Sequence, residues 1–187
     1  MKILLLVVEN RDEIKTEYCK FLTHVAWNRL VSGITFWSGG RPPVWYMRQQ
    51  MLRKALENKE TTHVLFVDTD VIPQLDCVGK LAAHNLPLVS GVYCDTNGAP
   101  INRKNGTPFI GKNLMEVDVF SMGLSLISRE VLEKVEYPEP DPIVKPDADV
   151  EFCRNVKATG FKIMTDFNVR GAHLLFAPFL STYSKAD

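Results

Sequence analysis

The stretch His63-Val64-Leu65-Phe66-Val67-Asp68-Thr69-Asp70-Val71-Ile72, HVLFVDTDVI, decides how the rest of the chain is read. Its apolar run, 64–67, has the length and composition of a strand buried on both faces, the kind found inside a parallel sheet. The run stops abruptly at Asp68-Thr69-Asp70. In open α/β sheets, ligands lie outside the carboxyl ends of the strands, so two carboxylates stand here where a ligand is expected. The plain alternative is a turn, because Asp favours turns and two acids after a strand can face water. Like charges beside a buried strand end are unfavourable without a cation or another partner. The pair is therefore read as oxygen donors for a divalent cation that in turn holds a diphosphate.

Working outward, 2–8 reads as a first strand, 12–27 as an amphipathic helix and 31–37 as a second strand. A Gly/Pro loop at 38–43 leads into a helix over 44–58, with Pro43 suited to its start. After the acidic triplet, Pro73 introduces a short helix at 75–85, and 88–93 is a further short strand. Residues 95–113 are polar and carry Gly98, Pro100, Gly106, Pro108 and Gly111, a long loop of the kind that is often functional. The segment 117–127 is strand-like with an interruption at Ser121-Met122-Gly123, and Ser128 suits the cap of a helix over 129–135. A proline-rich loop at 137–148, a helix over 149–159 stopped by Gly160, and strands at 161–164 and 167–169 complete the pattern. This β-α-β-α order predicts one α/β domain with a mainly parallel central sheet sandwiched by helices.

The chain has 187 residues, with 22 Lys+Arg against 22 Asp+Glu, so no overall charge draws it to nucleic acid. Hydrophobic residues make up 45% and charged residues 24%, as in an ordinary globular protein. The apolar run at 3–8 is too short for a membrane span and lacks a cleavage signal. Cys19, Cys77, Cys94 and Cys153 form no CxxC pair and no evident disulfide framework, which reads as reduced thiols in a cytoplasmic protein.

Beyond Asp68 and Asp70, three residues carry candidate chemistry. His173 follows a strand beside Gly171, and imidazole suits the mixed nitrogen and oxygen shell of a manganese-like cation. Most lone histidines are structural. Asp149 lies among three acids in five residues, Asp147, Asp149 and Glu151, at a helix start. Acids there cap the helix and suit its dipole, yet one facing a site is also placed to take a proton from a hydroxyl. Arg48 falls mid-helix, where solvation is the default, although a fork-shaped guanidinium beside a diphosphate is useful chemistry. Trp27, Trp37 and Trp45 have core packing as their default and stacking on a base or sugar as their functional reading. The string Asp68-Thr69-Asp70-Val71 also fits a haloacid-dehalogenase-type phosphatase, with Asp68 as nucleophile. Such enzymes place this strand near the chain start and need a later acidic pair that is not seen here.

Taken in order, these motifs resemble a GT-A type glycosyltransferase, closest to the large group of inverting, metal-dependent transferases. The acidic motif after an apolar strand, Met47-Arg48-Gln49 for an Ala-Arg-Asn helix start, and Ser90-Gly91-Val92-Tyr93 for a small strand all match its layout. So do the segment from Val117 through Gly123 into Leu126-Ile127-Ser128-Arg129-Glu130, the helix start Ala148-Asp149-Val150-Glu151-Phe152-Cys153, Gly160-Phe161-Lys162, and the late His173. Gln49 and Ala148 depart from the pattern. The resemblance implies a single GT-A-like (Rossmann-like) domain over 1–187, with a nucleotide-binding part at about 1–94 and an acceptor-side part at about 95–187. It implies Mn2+ or Mg2+ held by Asp70, His173 and Asp68. It implies a UDP- or GDP-sugar donor contacted by Val8, Glu9, Asn10, Arg48, Asp68 and Thr69, and an acceptor hydroxyl deprotonated by Asp149 near Met122 and Gly123. The acceptor is a glycan, lipid or protein. A non-catalytic nucleotide-sugar-binding module is the remaining alternative. A sugar-nucleotide pyrophosphorylase is disfavoured by the lack of a Gly-rich Thr-Arg loop after the first strand.

Overall fold

Alternation along two neighbouring strands builds the sheet and both of its covers. In β1 (Ile3–Val8), Ile3, Leu5 and Val7 point to one face and Leu6 to the other. Across the sheet, Leu65 and Val67 of the acidic-motif strand join the first set, and Val64 and Phe66 join the second. Both faces are therefore apolar, as a sheet covered twice requires. The computed structural model describes residues 1–8, 15–37, 42–95, 97–138 and 148–174. The expected donor contacts Glu9 and Asn10, the loop Gly39-Gly40-Arg41, Asp147 and most of the proline-rich loop lie outside them.

After β1 come α1 (Thr16–Ala26), β2 (Val31–Phe36), α2 (Val44–Glu57), β3 (His63–Asp68), β4 (Val71–Pro73), α3 (Cys77–Ala83) and β5 (Leu88–Val92). Then follow β6 (Arg103–Lys104), β7 (Thr107–Pro108), β8 (Leu114–Glu116), β9 (Leu124–Ser128), α4 (Arg129–Lys134), α5 (Ala148–Ala158) and β10 (Met164–His173). The main sheet runs β2-β1-β3-β9-β5-β10-β4, with β8 also on β10. Strands β2, β1, β3, β5 and β10 share one direction, so the sheet is mostly parallel, while β9 runs antiparallel between β3 and β5. Helices α2, α4 and α5 cover one face through Met47, Met51, Val131 and Phe152. Helices α1 and α3 cover the other through Tyr18, Phe21, Val25, Val78 and Leu81.

Several elements differ from the sequence reading, each for a local reason. The expected strand over 117–127 is a strand only from Leu124, because the Ser121 hydroxyl and the Met122 N–H bond a side chain of α5 instead of a ladder. The two expected final strands are one, β10, whose ladder to β5 shifts between Thr165 and Arg170. The loop 95–113 contains the β6–β7 hairpin, turned at Asn105 and Gly106, both with positive φ (53° and 77°). Asn-Gly is the residue pair that such a two-residue turn favours. Strand β4 was not anticipated at all, and α3 starts later than expected. The Ser128 cap is present, its side chain accepting from Val131 N–H. Among the described residues no helix is long and apolar enough to cross a membrane.

Candidate active site

The site gathers at the carboxyl end of β3. Asp68 closes that strand in register with Val8 of the parallel neighbour β1. The chain then turns at Thr69 and Asp70, both buried, and runs into β4. Strand β4 pairs antiparallel with the end of β10, His173 opposite Val71 and Gly171 opposite Pro73, and Leu174 N–H donates to the Asp70 carbonyl at 2.8 Å. This pairing carries His173 across the fold, until its Nε2 lies 3.5 Å from Asp70 Oδ2.

Arg48 reaches the same place from α2. It lies on the helix stripe with Met47, Met51, Leu52 and Ala55, and is only 6% exposed. Mid-helix solvation therefore does not describe it. Its Nη2 donates to Asp68 Oδ2 at 2.8 Å and its Nη1 to Asp149 Oδ1 at 2.7 Å. Burial works against the guanidinium charge, but Asp149 and Asp68 reverse the balance and hold Arg48 protonated. Burial likewise raises the Asp68 pKa; Arg48 opposes this and Asp70 adds to it. The second oxygen of Asp68, Oδ1, is buried without a hydrogen-bond partner among the described residues, as are Arg48 Nε and His173 Nδ1.

Asp149, the second residue of α5, is 8% exposed, and both of its oxygens are engaged. Oδ1 accepts from Arg48 and from the Tyr137 hydroxyl at 2.5 Å, and Oδ2 accepts from Ser121 Oγ at 3.1 Å and from Met122 N–H at 3.0 Å. The Met122 side chain is buried in the core, and its backbone N–H is the part that meets this cluster. Gly123 is a matter of space: an added Cβ would lie 2.3 Å from the Tyr93 hydroxyl oxygen and 2.5 Å from Asp68 Oδ2.

Tyr93, Ser121 and Tyr137 complete the cluster without having been assigned roles from the sequence. Tyr93 Oη and Ser121 Oγ lie 2.5 Å apart, and the Tyr93 ring stacks on that of His173, centroids 6.1 Å apart and 19° from parallel. The available signal was modest: a tyrosine at a strand's carboxyl end has an apolar body and a polar tip. Trp37 and Trp45 pack partly against the core and each makes an edge contact with Tyr46, whereas Trp27 stands 85% exposed at the end of α1.

Whether these residues suit a divalent cation can be tested from their chemistry. Among the described residues no cluster of three or more His, Cys, Asp or Glu is arranged as a metal cage. Mg2+-like cations seldom use one: they take one or two protein donors and complete the shell with phosphate oxygens and water. Asp70 and His173 provide such a pair. Two neighbouring ligands of an octahedral ion bound at about 2.1 Å lie roughly 3 Å apart, near the observed separation. Asp68 Oδ1, buried without a partner among the described residues, adds an acceptor at the same strand end. The residues fit a cation that arrives with a phosphate ligand.

The architecture is a GT-A-like fold, a mostly parallel central sheet flanked by helices. No family profile and no curated protein sequence matches the chain. Among solved structures, A197 from STIV superposes with a TM-score of 0.71 at 22% identity, over 91% of this chain and 84% of its own. S. aureus TarS 1–349 gives 0.57 at 14% identity, over 92% of this chain and 60% of its own. GalNAc-T7, crystallised with UDP, GalNAc and Mn2+, gives 0.52 at 13% identity, over 92% of this chain and 43% of its own. At these identities the likeness is one of fold.

Proposed function

We propose that this chain is a metal-dependent glycosyltransferase that moves a sugar from a nucleotide-diphosphate donor to an acceptor hydroxyl with inversion at the anomeric carbon. One observation carries the reading: Asp68, Asp70, Arg48, Asp149 and His173 converge at the carboxyl end of β3 in a GT-A-like fold. The cation in the GalNAc-T7 structure, bound together with UDP, supports the same class of donor and Mn2+ or Mg2+ as cofactor.

In this reading Asp70 and His173 hold the cation, with Asp68 assisting through its unpartnered oxygen or meeting the donor ribose or sugar. The bound cation supplies charge neutralisation for the diphosphate leaving group. Val8, Glu9, Asn10 and Thr69 contact the UDP or GDP portion, and Arg48 adds a buried positive charge beside it. The acceptor oxygen attacks the anomeric carbon, the carbon–phosphate-oxygen bond breaks with its electron pair leaving on the diphosphate, and Asp149 takes the hydroxyl proton. Among the described residues Asp149 accepts from Arg48, Tyr137, Ser121 and the Met122 N–H, so the base role requires a donor to leave. A diphosphate competes for Arg48 and is the natural agent of that release. The segment 95–113 orders over the donor, Met122 and Gly123 lie on the acceptor side, and the acceptor is a glycan, lipid or protein. In this reading the chain acts in the cytoplasm, with its cysteines as thiols.

Calorimetric titration of nucleoside diphosphates and nucleotide-sugars, each with and without Mn2+, tests the proposal. Metal-dependent binding of one nucleotide followed by sugar transfer is the expected result. Binding by none would count against the transferase, and hydrolysis of a simple phosphate ester with phosphate trapped on Asp68 would replace it by the phosphatase. Donor binding without turnover would leave a nucleotide-sugar-binding module.

A further inference from the structure

A histidine that ligates a metal is ordinarily oriented by a hydrogen bond at its second ring nitrogen. His173 has none: its Nδ1 is buried without a partner among the described residues. The described residues offer another way to fix the ring plane that aims Nε2 toward Asp70. The adjacent group with that capacity is Tyr93, whose ring is nearly parallel to the imidazole at a centroid distance of 6.1 Å, within the range of offset aromatic pairs.

Tyr93 is itself confined. It is 5% exposed, its hydroxyl lies 2.5 Å from Ser121 Oγ, and Ser121 donates to Asp149 Oδ2. The space around it is filled to the point that Gly123 cannot gain a Cβ without meeting the Tyr93 hydroxyl. A ring held at its tip by a hydrogen bond and along its body by packing is a rigid surface for a second ring.

We infer that Tyr93 is the positioning residue for His173, its stacked ring fixing the plane of the imidazole and holding it ready for the cation. Through Ser121 the same side chain links the cation pair to Asp149, so both ends of the site share one buried strut. The inference rests on the cation-site reading of Asp70 and His173.

The test uses the whole chain without nucleotide, Mn2+ titration followed by electron paramagnetic resonance, and the variants Tyr93→Leu, Tyr93→Phe and Ser121→Ala. Tyr93→Leu loses the stack and should weaken Mn2+ binding by at least about tenfold, the scale of lost second-shell support. Tyr93→Phe and Ser121→Ala both keep the stacked ring and remove one end of the hydroxyl contact, so both should lose clearly less affinity than Tyr93→Leu. Wild-type affinity in Tyr93→Leu, or an equal loss in Tyr93→Phe, overturns the inference. A second measurement separates it from the cation reading: the His173 ring protons, assigned with His173→Gln, should be shielded by Tyr93 in the metal-free protein. Shielding without Mn2+ binding would sink the cation reading and keep the stack. An unshielded His173 ring in the wild-type protein overturns the inference with no variant needing to fold.

Discussion

Replacing Arg48 by Met tests the central electrostatic claim, because it keeps an aliphatic stem and removes a charge that two buried carboxylates share. The guanidinium bonds Asp68 at 2.8 Å and Asp149 at 2.7 Å, and the arginine is 6% exposed. Breaking a buried pair costs about 3–5 kcal/mol, mostly the penalty of the charge left behind. The two bonds share one cation, so that range is applied once. A domain of this size shifts its midpoint by about 2–4 °C per kcal/mol, which places the loss at roughly 6–20 °C. The pH dependence has a definite sign. Burial already raises Asp68 above its ordinary pKa with Arg48 opposing, so removing Arg48 raises it further. A carboxylate with a raised folded-state pKa is relieved by protonation: its penalty is absent below the unfolded-state pKa and grows as pH rises through the folded value. The deficit of Arg48→Met should therefore be larger at about pH 7.5 than at about pH 5 in urea unfolding followed by circular dichroism. A deficit below about 1 kcal/mol, or one that does not change with pH, would mean that the guanidinium is not the counter-charge of a buried acidic pair.

Asp70→Asn should abolish Mn2+-dependent nucleotide binding in calorimetry; unchanged binding would remove Asp70 from the site. Asp149→Asn should keep donor binding but suppress transfer, and full turnover would rule out its role as base. Gly123→Ala should destabilise by about 1–3 kcal/mol through overpacking and weaken cation binding by displacing Asp68, whereas a stable variant with intact binding would show that the space is not tight. Arg129→Met is the contrasting arginine. Its side chain donates to the carbonyls of Thr61, Leu56 and Asn58 at the end of α2, so denaturation should show a loss of about 2 kcal/mol or more with donor binding unaltered. Thiol labelling should modify exposed Cys19 in the folded protein but reach Cys77 only on unfolding, since burial, with a contribution from Asp76, pushes its thiol up to about 12.

What could be read in advance follows from the range over which each signal acts. The strand 64–67 and the acids at its end are one local pattern, and so are the Ser128 cap and the Gly160 stop. Arg48 was also legible, through a signal that composition hides: Met47, Arg48, Met51, Leu52 and Ala55 repeat at helical spacing, so the arginine occupies the buried stripe itself. A cation on that stripe needs buried acids opposite it, and Asp68 and Asp149 lie 20 and 101 residues away in sequence. Nothing local in the chain states which acids those are. The hydroxyls of Ser121 and Tyr137 were hidden for the same reason, as each acquires its meaning only when α5 docks.

Strand β4 shows how much a short, unpromising element decides. Its three residues, Val71-Ile72-Pro73, end in a proline and continue directly from an acidic turn, a pattern that argues for loop. Pro73 removes one donor, but β4 lies at the sheet edge, where a missing N–H does not interrupt an interior ladder. The register to β10 then does two things at once. It sets His173 opposite Val71, next to Asp70, and it packs Gly171 so closely that a Cβ there would come 2.6 Å from Val71 Cγ1. A one-residue slip would turn the imidazole to the other face of the sheet, away from both Asp70 and Tyr93. The placement of the late histidine thus depends less on the residues around it than on a three-residue edge strand about a hundred positions earlier, held in register by tight packing at Gly171.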